Sequence, residues 1–231
     1  LTDVSLDIRP GEAVGITGTI GSGKTTLVDL ITGILRPERD MIFVNSVDIV
    51  DLDPAELARR MSVVPQDPFL FSRTLLENIS LGMTETDRER ATQSAELAGL
   101  KRDIEALHHG LDEVVGERGI TLSGGQKQRT AIARALNQQS GFLVLDDALS
   151  AVDSRTEERI LEGIADLRDR STMLIVSHRI SSLKELDRIY VMDEGRIVEA
   201  GSHDELIMKC GLYTRLAWLQ QMGGETTGSA S

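Results

Sequence analysis

Apolar and polar positions recur at two different periods along this chain, and the switches between them divide it into strands and helices. Val4, Leu6 and Ile8 alternate with polar neighbours as in a half-buried strand. Arg9-Pro10-Gly11-Glu12 then supplies turn chemistry, so the first residues predict a hairpin feeding the apolar run Ala13-Val14-Gly15-Ile16-Thr17. That run suits a buried strand, and Thr26-Leu27-Val28-Asp29-Leu30-Ile31, apolar on one side, suits a helix. Arg36-Pro37-Glu38-Arg39-Asp40 breaks the pattern, and Met41-Ile42-Phe43-Val44 reads as a strand. Asp53 caps a short helix with Pro54 in its first turn, and Met61-Ser62-Val63-Val64 reads as a further strand, stopped by Pro65-Gln66-Asp67-Pro68.

From Thr74 to Gln139 the period turns helical, with Leu75, Leu76 and Ile79 at helical spacing and a polar helix predicted from Thr86 to Leu100. The charge-rich stretch Thr84 to Arg90 reads as a solvated helix start. After Gly141, apolar strands return at Phe142 to Leu145, Thr172 to Ser177 and Arg188 to Met192, separated by helical stretches, which predicts a parallel sheet covered by helices. The first of these helices is expected to open with a capping box of Ser154 and Glu157 and to bury Ile160, Leu161, Ile164 and Leu167. A second box, Ser202 and Glu205, precedes a terminal helix through Trp218, and the small polar tail Gly223 to Ser231 predicts disorder.

Composition narrows the function classes. With 231 residues, 40% of them hydrophobic, the chain can bury a proper core as one large domain or as a core with an inserted subdomain. Its 37 acidic against 25 basic residues give a formal charge of −12, which argues against sequence-independent nucleic-acid binding. Cys210 is the only cysteine, so no intrachain disulfide or cysteine-rich metal cluster can form, and exposure to the cytosol fits. No apolar run approaches the ~18 to 20 residues that span a bilayer. The chain starts at Leu1 and enters strand-like residues at once, with no signal or transit peptide, which predicts that it was cut from a longer polypeptide.

Chemistry concentrates at three places. Gly18-Thr19-Ile20-Gly21-Ser22-Gly23-Lys24-Thr25-Thr26 fits the phosphate-loop pattern G-x-x-x-x-G-K-S/T without a mismatch, and it lies in the required setting between a strand and a helix. Its glycines let the backbone aim successive N–H groups at an anion, Lys24 brings a positive charge to the outer phosphates, and Thr25 offers a hydroxyl to Mg²⁺. Phe142-Leu143-Val144-Leu145-Asp146 places a carboxylate at the C-terminal end of a buried strand, where open α/β sheets carry ligands, and Asp146 is expected to hold Mg²⁺ directly or through water. Leu122-Ser123-Gly124-Gly125-Gln126, followed by a helix from Lys127 to Leu136, is either an ordinary N-cap or a second anion site serving a nucleotide on another subunit.

Taken together, these motifs resemble, in order and spacing, those of the ATP-binding cassette ATPases. The resemblance includes Gln66 in Val63-Val64-Pro65-Gln66-Asp67, Lys127-Gln128-Arg129, the pair Asp146-Asp147, Ser150-Ala151-Val152-Asp153 and Ser177-His178-Arg179, and covers nearly the whole chain. Gly116-Glu117-Arg118-Gly119, with Phe69-Leu70-Phe71-Ser72 and Glu77-Asn78-Ile79, looks like the exporter branch, in which cassette and membrane helices share one polypeptide. The fold so implied is α/β: a P-loop NTPase (RecA-like) core from residues 1–66 and 141–222, with an antiparallel β subdomain and an inserted α-helical subdomain at 67–140 that bears the signature.

The implied assembly is a head-to-tail dimer of cassettes sandwiching two ATP molecules at the cytoplasmic face of a membrane. Gly18, Thr19, Gly21, Ser22, Gly23, Lys24, Thr25 and Thr26 would hold one ATP, and Ser123, Gly124, Gly125 and Gln126 the partner's. Thr25, Gln66 and Asp146 would serve Mg²⁺, while Asp147, Gln66 and His178 form the implied catalytic set. Asp153 would lie at the dimer seam, and His178 would contact the γ-phosphate, whereas His108, His109 and His203 read as surface or core residues.

Three departures from the family pattern matter. Where such cassettes usually carry Glu as the base, this chain has Asp147; a carboxylate about 1.5 Å out of reach costs about a hundredfold in rate. In the exporter branch that substitution marks one half of a heterodimer, so this chain's own site is expected to be slow or degenerate. Asp40 and Ser46 stand where the family has glycine, which bears on a local turn, and the aromatic that stacks on adenine is expected upstream of Leu1. The competing expectations are a soluble cassette ATPase acting on DNA or ribosomes, against which the acidic balance counts, and a regulatory module that holds ATP without hydrolysing it.

Overall fold

The computed structural model describes residues 1–116, 119, 121–167 and 171–225. In chain order its elements are β1 (Ala13–Gly18), α1 (Lys24–Ile31), β2 (Phe43–Val44), β3 (Val47–Asp48), α2 (Pro54–Arg60), β4 (Met61–Val64), α3 (Leu75–Ile79) and α4 (Arg88–Leu97). They continue with α5 (Lys101–Ala106), α6 (Gly124–Gln138), β5 (Phe142–Asp146), α7 (Ser154–Ala165), β6 (Thr172–Val176), β7 (Arg188–Asp193), β8 (Arg196–Gly201), α8 (His203–Met208) and α9 (Leu212–Glu225). No helix among the described residues is long and apolar enough to cross a membrane.

The chain divides into two compact units, residues 1–57 with 172–231 and residues 58–171. In the first, β1 lies between two parallel neighbours, β6 and β7, with Ile16 opposite Val176 on one side and Tyr190 on the other. A strand paired on both edges and covered on both faces is predominantly apolar, and all six residues of β1 are buried, Thr17 being the one polar side chain among them. β8 pairs antiparallel with β7 at the edge, and its residues alternate between exposed and half-buried, as one solvated face requires. Ile16, Leu174 and Ile189 are fully buried in this unit, each contributing about 1.5–3 kcal/mol relative to exposure.

In the second unit, β4 pairs parallel with β5 from Met61 opposite Phe142 to Val64 opposite Leu145. Helix α6 packs against α3, α4 and β4, burying Thr130, Ile132 and Ala133. A reciprocal box of Thr74 and Glu77 caps α3.

Several expectations are corrected. Val4 to Ile8 keeps its alternation of half-buried and exposed residues but forms no strand, since no neighbouring strand pairs with it among the described residues. Instead the Tyr190 hydroxyl accepts from the Asp7 N–H at 3.5 Å and donates to the Asp7 carbonyl at 3.3 Å. The strand expected at Met41 to Val44 shrinks to β2, joined to β3 by Asn45 and Ser46, whose φ of 50° and 65° make the left-handed hairpin turn without glycine. Asp40, at φ 63°, does likewise, so the absence of glycine changes the strain and not the turn.

The polar helix expected from Thr86 to Leu100 is α4 alone, because the Asp87 side chain accepts from the Arg90 N–H and fixes the start at Arg88. Helix α7 is capped by Asp153, not Ser154: the Asp153 carboxylate accepts from the Thr156 N–H at 3.0 Å. The box of Ser202 and Glu205 is present, but it opens α8 only; Cys210, at φ 52°, breaks the chain before α9. Helix α9 reaches Glu225, into the stretch expected to be disordered, and residues 226–231 lie outside the described residues. Strand β8 was not expected from the sequence.

Candidate nucleotide-binding site

The loop after β1 is shaped by its glycines. A Cβ on Gly18 would sit 1.9 Å from the Met192 carbonyl oxygen, so only glycine lets β1 leave the sheet this close to β7. Gly23, at φ 95°, turns the chain into α1 in the left-handed region and offers the helix start no side-chain cap. The first N–H groups of α1 thus present the positive end of the helix dipole at the loop. Thr19 pins that loop: its hydroxyl donates to Asp193 at 2.6 Å, and the Ser22 N–H returns to the Thr19 carbonyl at 3.2 Å.

Lys24 is the charged residue of this loop, and it is only 6% exposed. Its Nζ donates to the carbonyl oxygens of Gly18 at 3.2 Å and Thr19 at 2.7 Å and to the Ser22 hydroxyl at 3.2 Å. The loop therefore cradles the ammonium with two of its backbone carbonyl oxygens and the Ser22 hydroxyl, placing a positive charge beside the helix start, whose dipole also favours an anion. Thr25 and Thr26 are exposed at the start of α1. Thr25 and the 5%-exposed carboxylate of Asp146 are hard oxygen donors of the kind Mg²⁺ takes. The residues present fit a magnesium nucleotide.

His178 belongs to the same unit as the loop. Its side chain is exposed at the end of β6, and the Gln220 side chain clasps its backbone by donating to the His178 carbonyl and accepting from the Ile180 N–H at 2.9 Å. Nothing in the sequence singled out Gln220.

The remaining predicted residues belong to the second unit. Ser123 and Gln126 cap α6 reciprocally: the Gln126 N–H donates to the Ser123 hydroxyl at 3.3 Å and the Ser123 N–H to the Gln126 side chain at 2.9 Å. Helix α6 therefore starts at Gly124, three residues before the predicted Lys127. The Gln126 amide also donates to Asp103 at 2.8 Å, and Asp103 accepts from Arg129 at 2.8 Å.

The two glycines behind Ser123 differ in their reasons. A Cβ on Gly125 would lie 2.8 Å from the Ala151 carbonyl oxygen, whereas one on Gly124 meets nothing closer than the Ala151 Cβ at 3.9 Å. Packing within this chain demands the first glycine and leaves the second unexplained. Asp147 follows β5 in the left-handed region at φ 47°, which a short acid tolerates. Gln66 is exposed, and its carbonyl oxygen accepts from Gln128 at 3.4 Å. Asp153 caps α7, and hydrogen bonds from the Thr156 side chain and N–H hold its carboxyl below the usual carboxylate range. The structure thus joins Gln66, the start of α6 and the segment before Asp153; the motif Lys127-Gln128-Arg129 had been noted without assigning Gln128 that part.

A glycine loop that cradles a buried lysine before an uncapped helix defines a phosphate-loop nucleotide-binding protein. This chain belongs to the ABC transporter family, whose model matches residues 1–150. It is 41% identical over 220 residues to an ATP-dependent lipid A-core flippase of Burkholderia orbicola, covering 95% of this chain and 37% of that protein. It is 42% identical over 221 residues to the leukotoxin export ATP-binding protein of Aggregatibacter actinomycetemcomitans, covering 95% of this chain and 31% of that one. A solved bacterial Atm1-family ABC exporter with ATP bound matches with a TM-score of 0.90 and 36% identity, over 95% of this chain and 38% of the other. The chain therefore spans little more than a third of these relatives' length. Its α/β architecture is that of an ABC exporter's ATP-binding domain, a P-loop NTPase fold with a two-stranded antiparallel sheet.

Proposed function

We propose that this chain is the ATP-hydrolysing cassette of a membrane exporter, working at the cytoplasmic face with a second cassette and with transmembrane helices of the same polypeptide. The observation that carries this reading is the buried Lys24, held by three oxygens of its own loop at the uncapped start of α1.

Each residue then has a part. The N–H groups from Gly18 to Thr26, with Lys24, bind and orient the phosphates of ATP; Thr25, Asp146 and Gln66 hold the metal. Bound magnesium supplies charge neutralisation on the phosphate oxygens. Asp147 orients the attacking water and accepts its proton, and His178 contacts the outermost phosphate. Ser123 to Gln126 present the start of α6 to the partner's nucleotide, with Gly124 kept small for that approach, and Asp153 faces the dimer seam.

Because Asp147 is one methylene shorter than glutamate, turnover at this chain's own site is slow, and the competent site is the one completed by this chain's Ser123 to Gln126 in a heterodimer. Single-turnover hydrolysis tests the base directly. Asp147→Glu is expected to accelerate phosphate release about a hundredfold over the parent; an unchanged rate would contradict the role given to Asp147.

A further inference from the structure

We infer that Gln128 is a positioning residue for ATP turnover: its side-chain amide clasps the Gln66 carbonyl to Ser150 and Ala151, so that both loops keep register with the start of α6. The inference rests on the cassette reading above and adds to it a residue to which that reading gives no part.

Gln128 is 5% exposed, and every strong hydrogen-bonding group of its amide is engaged. The two Nε2 hydrogens serve the Gln66 carbonyl at 3.4 Å and the Ser150 hydroxyl at 3.1 Å, and Oε1 accepts from the Ala151 N–H at 2.9 Å. These partners lie 62, 22 and 23 residues away in sequence, so the clasp is tertiary and not a local turn. The amide itself is buried although Gln66, Ser150 and Ala151 are exposed residues, so removing these bonds strands the polar atoms of Gln128 and frees both loops from the helix.

The position of Gln128 gives the clasp its consequence. It lies one turn after Gly124 on the same face of α6, and the helix start touches Ala151 closely enough that Gly125 cannot carry a Cβ. Two successive turns, Ser150 N–H to the Asp147 carbonyl at 3.2 Å and Val152 N–H to the Leu149 carbonyl at 3.1 Å, stiffen the backbone from Asp147 to Val152. Holding Ser150 and Ala151 therefore fixes the chain just after Asp147 and just before Asp153, while the other amide hydrogen fixes Gln66. A displacement of about 1 Å in such a set costs about a hundredfold in rate.

The test uses the 231-residue chain and two variants. Gln128→Met keeps the volume and removes all three bonds; Gln128→Glu keeps the acceptor for Ala151 and turns a carboxylate toward the Gln66 carbonyl. Hydrogen exchange without nucleotide is expected to show the Ala151 amide protected in the parent and in Gln128→Glu, and exchanging about tenfold faster in Gln128→Met. With MgATP, both variants are expected to bind within about twofold of the parent and to hydrolyse at least about tenfold more slowly in a single turnover.

Unchanged protection of Ala151 in Gln128→Met overturns the clasp, and so does parental turnover in either variant. Should Gln128→Met fail to fold, Gln128→Glu decides alone through its turnover. A parent chain that binds no MgATP overturns the cassette reading and this inference with it, whereas a parent that binds and variants that turn over normally overturn this inference only.

Discussion

Ser123 and Gln126 cap each other across the first turn of α6, the Ser123 hydroxyl accepting from the Gln126 N–H and the Gln126 side-chain oxygen from the Ser123 N–H, while a Cβ added to Gly124, between them, would meet nothing closer than the Ala151 Cβ at 3.9 Å. Packing within this chain thus leaves room for a side chain at 124, and the proposed role of Gly124 beside a partner's nucleotide can be tested by substitution. In the assembled transporter, Gly124→Asp is expected to reduce steady-state ATPase at least about a hundredfold, because like charges ~4 Å apart in a poorly solvated site repel by several kcal/mol. Asp147→Ala is expected to reduce it less than about twofold if, as proposed, this chain's own site contributes little to turnover. Equal losses in the two variants would sink the heterodimer assignment and leave the cassette assignment intact.

Asp153 has a structural task that can be separated from any task at a dimer seam. Its carboxyl lies below the usual range because the Thr156 side chain and N–H hydrogen-bond to its ionised form. A lowered folded-state value means that the stabilisation is present above the unfolded value, about 3.9, and is lost as the pH falls through the folded one. The Tm deficit of Asp153→Ala relative to the parent is therefore expected to be full near pH 7 and to shrink below about pH 4. Asp153→Asn, an equally good cap, is expected to keep the parental Tm at neutral pH. Thermal unfolding across this pH range checks both, and a deficit independent of pH would contradict the assignment.

Much of this was legible in the sequence, for reasons that differ by element. The loop from Gly18 to Thr26 and the strand ending in Asp146 were readable because their chemistry is local: a glycine is needed at a fixed offset, and an acid must follow a buried run. Strand β8 was missed because an edge strand with one solvated face carries polar residues at alternate positions and resembles a loop between stronger signals. The wrong cap on α7 came from a neighbouring serine with glutamate at box spacing; the geometry chose Asp153, one residue earlier. The clasps of Gln128 and Gln220 were illegible for a third reason, since a glutamine on a helix acquires its partners only when distant loops fold against it.

Tyr213 gives an alkaline test of the α8–α9 pair. It is fully buried, its hydroxyl lies 2.8 Å from Nδ1 of His203, and burial pushes its pKa up to about 12. For a group whose folded value is raised, the stabilisation is complete below the unfolded value, about 10, and is lost as the pH rises through the folded one. The stability difference between the parent and Tyr213→Phe, measured by chemical denaturation, is expected to move against the parent between about pH 10 and pH 12. A difference constant across that range would show that the phenol does not titrate with unfolding.

Titration calorimetry of the chain with MgATP tests most directly whether the loop around Lys24 binds a magnesium nucleotide. The parent is expected to bind, and Lys24→Ala, folded as judged by its thermal transition, is expected to lose at least about a hundredfold in affinity, since it removes a charge-assisted contact to the phosphates. Equal affinity in parent and variant, or no binding by the parent, would contradict the account.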